Sequence, residues 1–139
     1  MLEKSKETEK ILYLLENFTA AECYGEFLQE NATGDFLFIR PSGNPIDAIG
    51  FIEMKASGEL SFDGYTDVLE IHRKEFLSDE VVFIVFTLRS SFVYKDVQNT
   101  DLATVTTIIK KINNAWKFSW MQRSSGDSDP LLWKLFKKN

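Results

Sequence analysis

The stretch FLFIRPSGNPIDAIGFIEMK, residues 36–55, joins a strand-like apolar run to the best-marked helix start in the sequence. The apolar run from Phe36 to Ile39 ends in Arg40, whose guanidinium stays charged at physiological pH. The PSGN that follows combines residue types that are typical of a tight turn. The pattern therefore predicts a strand over 35–40 that ends in a permanent charge.

A helix is predicted directly after this turn, over about 45–56. Asn44 is a favoured N-cap, Pro45 suits the first helical position, and Asp47 complements the positive end of the helix dipole. The SGE at 57–59 ends the helix.

Two further helices are predicted before the quoted stretch. Residues 5–17 carry apolar side chains at helical spacing behind a charged first turn. TAAE at 19–22 matches a capping box, in which Thr19 caps the next helix and Glu22 reaches back to it. We expect Gly34 to supply the left-handed residue that ends this second helix.

After these helices the sequence changes to a period-two pattern that is typical of β-strands. Four long strands are predicted, at about 66–76, 80–94, 99–112 and 115–123. This order predicts an α+β fold, with N-terminal helices packed on a strongly curved, mostly antiparallel sheet. VVFIVFTL in the second long strand is apolar on both faces. A second copy of the chain is the simplest cover for its outer face, so we predict a homodimer.

Length and composition restrict the function further. The 139 residues suit one domain, which we place at 1–126, followed by a tail at 127–139 with the pattern of a short amphipathic helix. The net charge of −5 argues against nucleic acid as a partner. A single cysteine, Cys23, and a single histidine, His72, exclude an intrachain disulfide and metal sites that need paired ligands of either type. We therefore predict no cofactor and no metal.

The sequence contains no apolar run of 18 residues that would span a membrane, and its charged start MLEKSKETEK differs from a signal peptide. A cytoplasmic location without a membrane span is the expectation.

The order of elements resembles the nuclear transport factor 2-like superfamily, the cone-shaped fold shared with ketosteroid isomerases and polyketide cyclases. The resemblance covers about residues 8–123, and FIRPSGNPIDAIGFI at 38–52 carries it. In that superfamily a strand ends in a Pro-x-Gly turn and leads into a helix across the mouth of the cone. The resemblance implies a cone with an internal cavity.

The resemblance also implies which chemistry to look for. In the ketosteroid isomerases the residue before the turn is a catalytic aspartate, and here it is Arg40, which cannot abstract a proton at neutral pH. Their oxyanion-hole aspartate would fall near 106–108, where no carboxylate occurs. Tyr13 matches their helix-1 tyrosine after a shift of register. Limonene epoxide hydrolases carry Arg-x-Asp on the third strand, and Arg73 with Glu75 resembles that pair. Arg73, Glu75 and Tyr13 are therefore the candidate catalytic residues.

Candidate ligand-binding residues follow from strand alternation. Phe36, Phe38 and Arg40 share one face, which we expect to look into the cavity. Arg40 either forms an ion pair at the rim of the cone, with Asp47, Glu53 or another carboxylate, or anchors an anionic group of a ligand.

The aromatic stripe Trp116, Phe118 and Trp120 is predicted to face one way, and it either packs in the core or the dimer or forms a wall for ligand stacking. The face of Arg73 is interpreted as a cavity face, although a simple surface ion pair is the alternative. His72 is predicted to face the opposite way, toward solvent or a partner chain.

We interpret the sequence as a small dimeric cone domain that binds an apolar or mixed small molecule, with an acidic group near Arg40. One alternative is an enzyme of the isomerase, dehydratase or epoxide hydrolase type. Another is a pure association domain whose cone is filled by its own phenylalanines.

Overall fold

The computed structural model of the chain describes residues 4–21, 24–61 and 66–126. Within these ranges three helices are present: α1 (Lys4–Ala20), α2 (Tyr24–Asn31) and α3 (Ala48–Ala56). The strands are β1 (Ala32–Ile39), β2 (Pro45–Ile46), β3 (Leu60–Ser61), β4 (Thr66–Ser78), β5 (Val81–Tyr94), β6 (Val97–Ile112) and β7 (Ala115–Ser125).

The strands form one mixed sheet in the order β2-β1-β7-β6-β5-β3, with β4 also paired to β5. β1 runs parallel to β7, and the other strand pairs of the described residues are antiparallel. The sheet is strongly curled into a half-barrel, and the three helices pack on it. The predicted α+β cone fold is confirmed. We call the side of the sheet that meets the helices the inner face and the opposite side the outer face.

The hydrophobic core lies between the helices and the inner face. Its largest fully buried side chains include Phe18 from α1, Phe86 from β5 and Phe118 from β7. The ring centroids of Phe18 and Phe118 lie 5.3 Å apart, so the helix and the sheet interlock through aromatic rings. Complete burial of a side chain of this size contributes about 2–3 kcal/mol, which makes these contacts a major source of stability.

The predicted capping box at Thr19 is wrong. Helix α1 continues to Ala20, and Thr19 Oγ1 donates a 2.9 Å hydrogen bond to the carbonyl of Glu16 inside the helix. A hydroxyl engaged in this way does not cap a following helix. Gly34 does not end the second helix either, because β1 already begins at Ala32, where pairing with β7 starts.

The helix after the turn begins three residues later than predicted. The N-cap is Asp47, whose Oδ1 accepts a 2.8 Å hydrogen bond from the amide of Gly50. Pro45–Ile46 instead form β2 and pair with β1. Asn44 belongs to the turn, where its carbonyl accepts the backbone N–H of Arg40 at 3.2 Å. Pairing with the preceding strand has outweighed the helix-start signal.

The four long strands are confirmed, and each end lies within two residues of its prediction. Glu22, Cys23 and the tail at 127–139 lie outside the described residues. The amphipathic helix in the tail therefore remains a prediction.

A β-bulge at Ser119 changes the direction of side chains along β7. Ile109 pairs with Phe118, but Ile108 pairs with Trp120, so Ser119 has no partner on β6. Because side chains alternate along a strand, the extra residue exchanges the two faces beyond it. Trp116 and Phe118 are buried on the inner face, whereas Trp120 lies on the outer face. The prediction that all three face one way is wrong.

An ion cluster connects α1 to the end of β6 and the start of β7. The carboxylate of Glu7, buried although charged, accepts hydrogen bonds from Lys111 Nζ at 2.8 Å and from Trp116 Nε1 at 2.5 Å. Lys10 Nζ lies 3.7 Å away from the same carboxylate. The hydrogen bond from Lys111 and, next, that from Trp116 lower the pKa of Glu7 below its ordinary value of 4.5.

We predict that Glu7→Gln destabilises the protein in a pH-dependent way. A carboxyl whose pKa is lowered by folding contributes stability above its unfolded pKa, and this contribution is lost as the pH falls through the folded pKa. Glu7→Gln should lower the free energy of unfolding by about 2 kcal/mol at pH 7, and this difference from wild type should shrink below pH 4.5. Urea unfolding across this pH range measures it. Glu9→Gln, on an exposed part of the same helix, is the control and should change little. A loss that is the same at every pH would contradict the assignment.

We predict that Gly25→Ala is strongly destabilising because α2 and α3 touch at this residue. A Cβ at Gly25 would lie 2.6 Å from the carbonyl oxygen of Ala48 and 2.6 Å from Cγ1 of Ile52. The loss should be about 3 kcal/mol in chemical unfolding. Gly34→Ala is the matched control, since its Cβ would meet no atom within 4 Å and should change stability by less than about 0.5 kcal/mol. Equal effects of the two substitutions would refute the close helix packing.

Candidate functional site

A cavity of about 470 Å³ lies where β1, α3 and the ends of β5, β6 and β7 meet. Described residues from several elements line it: Tyr24, Phe38, Arg40, Pro41, Ser42, Phe51, Met54, Leu60, Phe92, Tyr94, Asn99, Thr100, Asp101, Arg123 and Ser125. Its volume falls within the range of roughly 300–1,000 Å³ that small-molecule sites occupy. We call it the cone cavity.

One wall of the cone cavity is aromatic. Phe51 from α3 packs edge-on against Phe38, with ring centroids 5.2 Å apart, and against Tyr24, with ring centroids 6.0 Å apart. The mutual edge-to-face packing fixes the orientation of these rings. The wall therefore offers a preorganised apolar surface to a ligand.

Arg40 contributes a cation to the rim of this wall. Its Nε donates to the Asn44 carbonyl at 3.2 Å, and its Nη1 lies 3.9 Å from the sulfur of Met54. No carboxylate of the described residues lies within 4.0 Å of the guanidinium. Asp47 caps α3 instead, so the ion pair that was one reading of the sequence is not formed with it.

A second arginine, Arg123, is almost fully buried beside the cavity, with 7% of its surface exposed. Its Nη2 donates to Asp101 Oδ2 at 2.9 Å and to Ser90 Oγ at 2.7 Å. Ser125 Oγ donates to the same Asp101 oxygen at 2.9 Å. The guanidinium also lies 5.5 Å from the centre of the Phe92 ring, a cation–π distance. Asp101 is thus the counter-ion of Arg123.

The two arginines are neighbours across the sheet. The parallel pairing of β1 and β7 extends to Ile39, which lies opposite Gln122. Arg40 and Arg123 directly follow these two residues along the chain. Both line the same cavity, together with a single carboxylate, that of Asp101. Among the described lining residues, one unit of positive charge remains unbalanced.

The structure brings together only part of the predicted ligand-binding set. Phe38 and Arg40 line the cone cavity. Phe36, Trp116 and Phe118 are buried in the hydrophobic core and are not among its lining residues. Trp120 lies on the outer face beyond the bulge.

The predicted catalytic residues lie away from the cavity. Arg73 and Glu75 stand opposite Val85 and Phe83 on the outer face, where they form an exposed ion pair with each other. Tyr13, on α1, is 66% exposed. Arg73 and Glu75 therefore form a surface ion pair, which was the alternative interpretation of the sequence, and they do not face the cavity.

His72 is also remote from the cavity. Its Nε2 lies 2.6 Å from Thr87 Oγ1, and its Nδ1 lies 3.9 Å from a carboxylate oxygen of Glu70. Thr87 belongs to the outer face, so His72 contacts the same face as Arg73. Irregular pairing around residues 69 and 72 of β4 breaks the simple alternation that predicted opposite faces.

Sequence reasoning missed Arg123 and Asp101 as cavity residues. Continued alternation from Phe118 would place Arg123 on the outer face, and only the bulge turns it inward. One signal was available, because Trp116, Phe118 and Met121 are all apolar but do not share one parity. Such a break within a strand indicates a bulge.

The described residues offer neither a metal site nor a membrane-spanning helix. They contain no group of three or more histidine, cysteine, aspartate or glutamate side chains arranged to hold a metal ion. None of the helices in these ranges is both long and apolar enough to cross a membrane.

Comparison with known proteins establishes the family. Residues 6–134 match the sequence model of a family described as "Protein of unknown function (DUF3804)", so the chain belongs to that family. A crystal structure from Prochlorococcus marinus (Prochlorococcus sp. NATL2A), described as a nuclear transport factor 2-like protein of unknown function, is 50% identical in sequence. The match covers 96% of this chain and 100% of that chain, with a TM-score of 0.79. The chain is a nuclear transport factor 2-like protein.

More distant structures share the nuclear transport factor 2-like fold alone. A protein from Exiguobacterium sibiricum, described as a calcium/calmodulin-dependent kinase II association domain, is 17% identical over 93% of this chain and 100% of that chain, with a TM-score of 0.75. A ketosteroid isomerase-like protein from Erwinia carotovora is 14% identical over 86% of this chain and 93% of that chain, with a TM-score of 0.65. No curated protein matches the sequence.

Proposed function

We propose that the protein binds a small organic acid in the cone cavity, with the apolar body of the ligand against the aromatic wall and its acidic group on Arg40. The observation that carries this proposal is the guanidinium of Arg40, which has no carboxylate partner among the described residues and lines a cavity of about 470 Å³. A planar guanidinium can hold a carboxylate through two parallel hydrogen bonds.

The charges around the cavity support an anionic ligand. Arg40 and Arg123 follow each other across adjacent strands, and Asp101 is engaged with Arg123. Two neighbouring cations with one counter-ion leave a positive site, and removing such a charge from water is costly unless an anion compensates it. A bound carboxylate would supply this compensation.

The aromatic wall supports an apolar body for the same ligand. Tyr24, Phe38 and Phe51 hold one another in edge-to-face contacts, so little side-chain entropy is lost when a ligand packs on them. A ligand with a ring or a branched alkyl chain would bury apolar surface there, and its acidic end would remain at Arg40.

We predict that Arg40→Met removes ligand binding without unfolding the protein. Native mass spectrometry of freshly purified wild type should show extra mass that is released on denaturation, and Arg40→Met should lack it or bind at least about tenfold more weakly. The melting temperature of the ligand-free protein should change little, because within the described ranges the side chain of Arg40 bonds only to the Asn44 carbonyl and the Met54 sulfur.

Arg73→Met is the matched control, since it removes an exposed arginine from the outer face and should keep the ligand. A large loss of stability in Arg40→Met with unchanged ligand binding would contradict the anchor. It would indicate a structural role for Arg40 instead.

We also propose that the outer face associates with a second copy of the chain. An apolar row crosses it from strand to strand, because Leu37 pairs with Trp120, Trp120 with Ile108 and Ile108 with Phe83. Leu37, which is 45% exposed, extends this row to β1. A self-complementary apolar row of this kind suits a two-fold interface. One neighbour of the same fold is described as an association domain, which is compatible with this use of the face.

We predict that Phe83→Glu converts a dimer into a monomer, because a charge in the centre of the row would be desolvated in the interface. Size-exclusion chromatography with light scattering measures the mass. Leu77→Glu is the control, since Leu77 is exposed near the end of β4 and lies outside the row. A dimer that persists in Phe83→Glu, or a wild-type monomer, would rule out this interface.

A further inference from the structure

We propose that Asp101 selects the charge of the ligand, and that the cone cavity accepts monoanions, such as carboxylates, in preference to dianions such as phosphate monoesters. This inference rests on the proposed anion binding and adds a specificity-determining residue to it. The geometry that points to it is one carboxylate placed between a buried arginine and the cavity that a second, unpaired arginine shares.

Asp101 has a fixed position beside the cavity. Its Oδ2 accepts hydrogen bonds from Arg123 at 2.9 Å and from Ser125 at 2.9 Å, which hold the carboxylate in one orientation. Asp101 also lines the cone cavity, so its negative charge acts on anything bound there. Its partner Arg123 is held in turn by Ser90 at 2.7 Å and by the ring of Phe92. The pair is therefore a fixed element of the cavity wall.

One positive charge remains unpaired among the described lining residues. With Asp101 matched to Arg123, only Arg40 lacks a counter-ion among the described lining residues. A ligand with one negative charge completes the balance. A second negative charge on the ligand would meet no free cation there and would be repelled by Asp101. Coulomb attraction to a site of net charge +1 doubles for a dianion, but the cost of removing an ion from water rises with the square of its charge. The repulsion from Asp101 keeps the net charge of the site at +1, which is too small to offset the dehydration of a dianion.

The overall charge of the protein does not favour anions. The chain carries a net charge of −5, so its long-range field does not attract anions. Recognition must come from local cations, and among the described lining residues the local charge is set by the two arginines and the single aspartate. A change of one charge at Asp101 should therefore change which anions bind.

Two probes with the same ring test this inference. Phenylacetate is a monoanion, and phenyl phosphate carries close to two negative charges at pH 8, because the second pKa of a phosphate monoester is about 6. Isothermal titration calorimetry of each probe gives the ratio of the two affinities. We expect wild type to favour phenylacetate. Asp101→Asn, which keeps the shape and an acceptor oxygen, should shift the ratio at least about tenfold toward phenyl phosphate.

Three further variants make the result specific. Arg123→Gln leaves Asp101 unmatched and should shift the ratio the opposite way, with weaker binding of both probes. The double variant Asp101→Asn/Arg123→Gln removes both charges of the pair and should return the ratio to that of wild type. Asp67→Asn removes an exposed carboxylate opposite Arg89 on the outer face and should leave the ratio unchanged.

The outcomes separate this inference from the proposed function. Two results would overturn the role of Asp101 in charge selection and leave the proposed anion binding intact. One is a wild type that binds anions but prefers phenyl phosphate, and the other is a folded Asp101→Asn variant with an unchanged affinity ratio. If Asp101→Asn does not fold, the opposite shift in Arg123→Gln and the restored ratio in the double variant decide the question. A wild type that binds neither probe would overturn the role of Asp101 in charge selection. Native mass spectrometry of the purified protein then tests independently whether a small organic acid is bound.

Discussion

The extra residue in β7, Ser119, is the constraint on which both faces of the sheet depend. Without it, the alternation that buries Trp116 and Phe118 would continue and would turn Arg123 toward the outer face. The bulge instead directs Met121 and Arg123 inward. Bulges disturb the hydrogen bonds of a ladder, and here the buried hydroxyl of Thr107 donates to the Trp120 carbonyl at 2.8 Å. This side-chain bond satisfies a backbone acceptor at the irregularity.

The chemistry of the cavity follows from this placement. Once Arg123 faces inward, it stands beside Arg40 across the parallel β1–β7 pair and requires Asp101 as a counter-ion. A chain with a net charge of −5 thereby acquires a locally positive cavity. The position of a few charges relative to an apolar wall, more than overall composition, determines what such a cavity can recognise.

The same bulge contributes to the outer face. It turns Trp120 outward, opposite Ile108 on one side and Leu37 on the other, and so supplies the middle of the apolar row. The two faces of β7 therefore differ in character. The inner face contributes a charged residue to the cavity, and the outer face contributes to an apolar surface. In a regular strand with the same residues, Trp120 would lie on the inner face and Arg123 on the outer face.

The α+β cone, the four long strands and the turn that begins with Arg40, directly after β1, could be predicted from the amino-acid sequence. These features depend on local periodicity and turn chemistry, which are readable in short windows. The sequence pattern misplaced the start of α3, because Pro45–Ile46 pair with β1 and Asp47 caps the helix. The presence of Arg123 and Asp101 in the cavity could not be predicted in this way. Their meeting depends on a bulge and on register between strands, and a single residue of shift exchanges the faces of a strand.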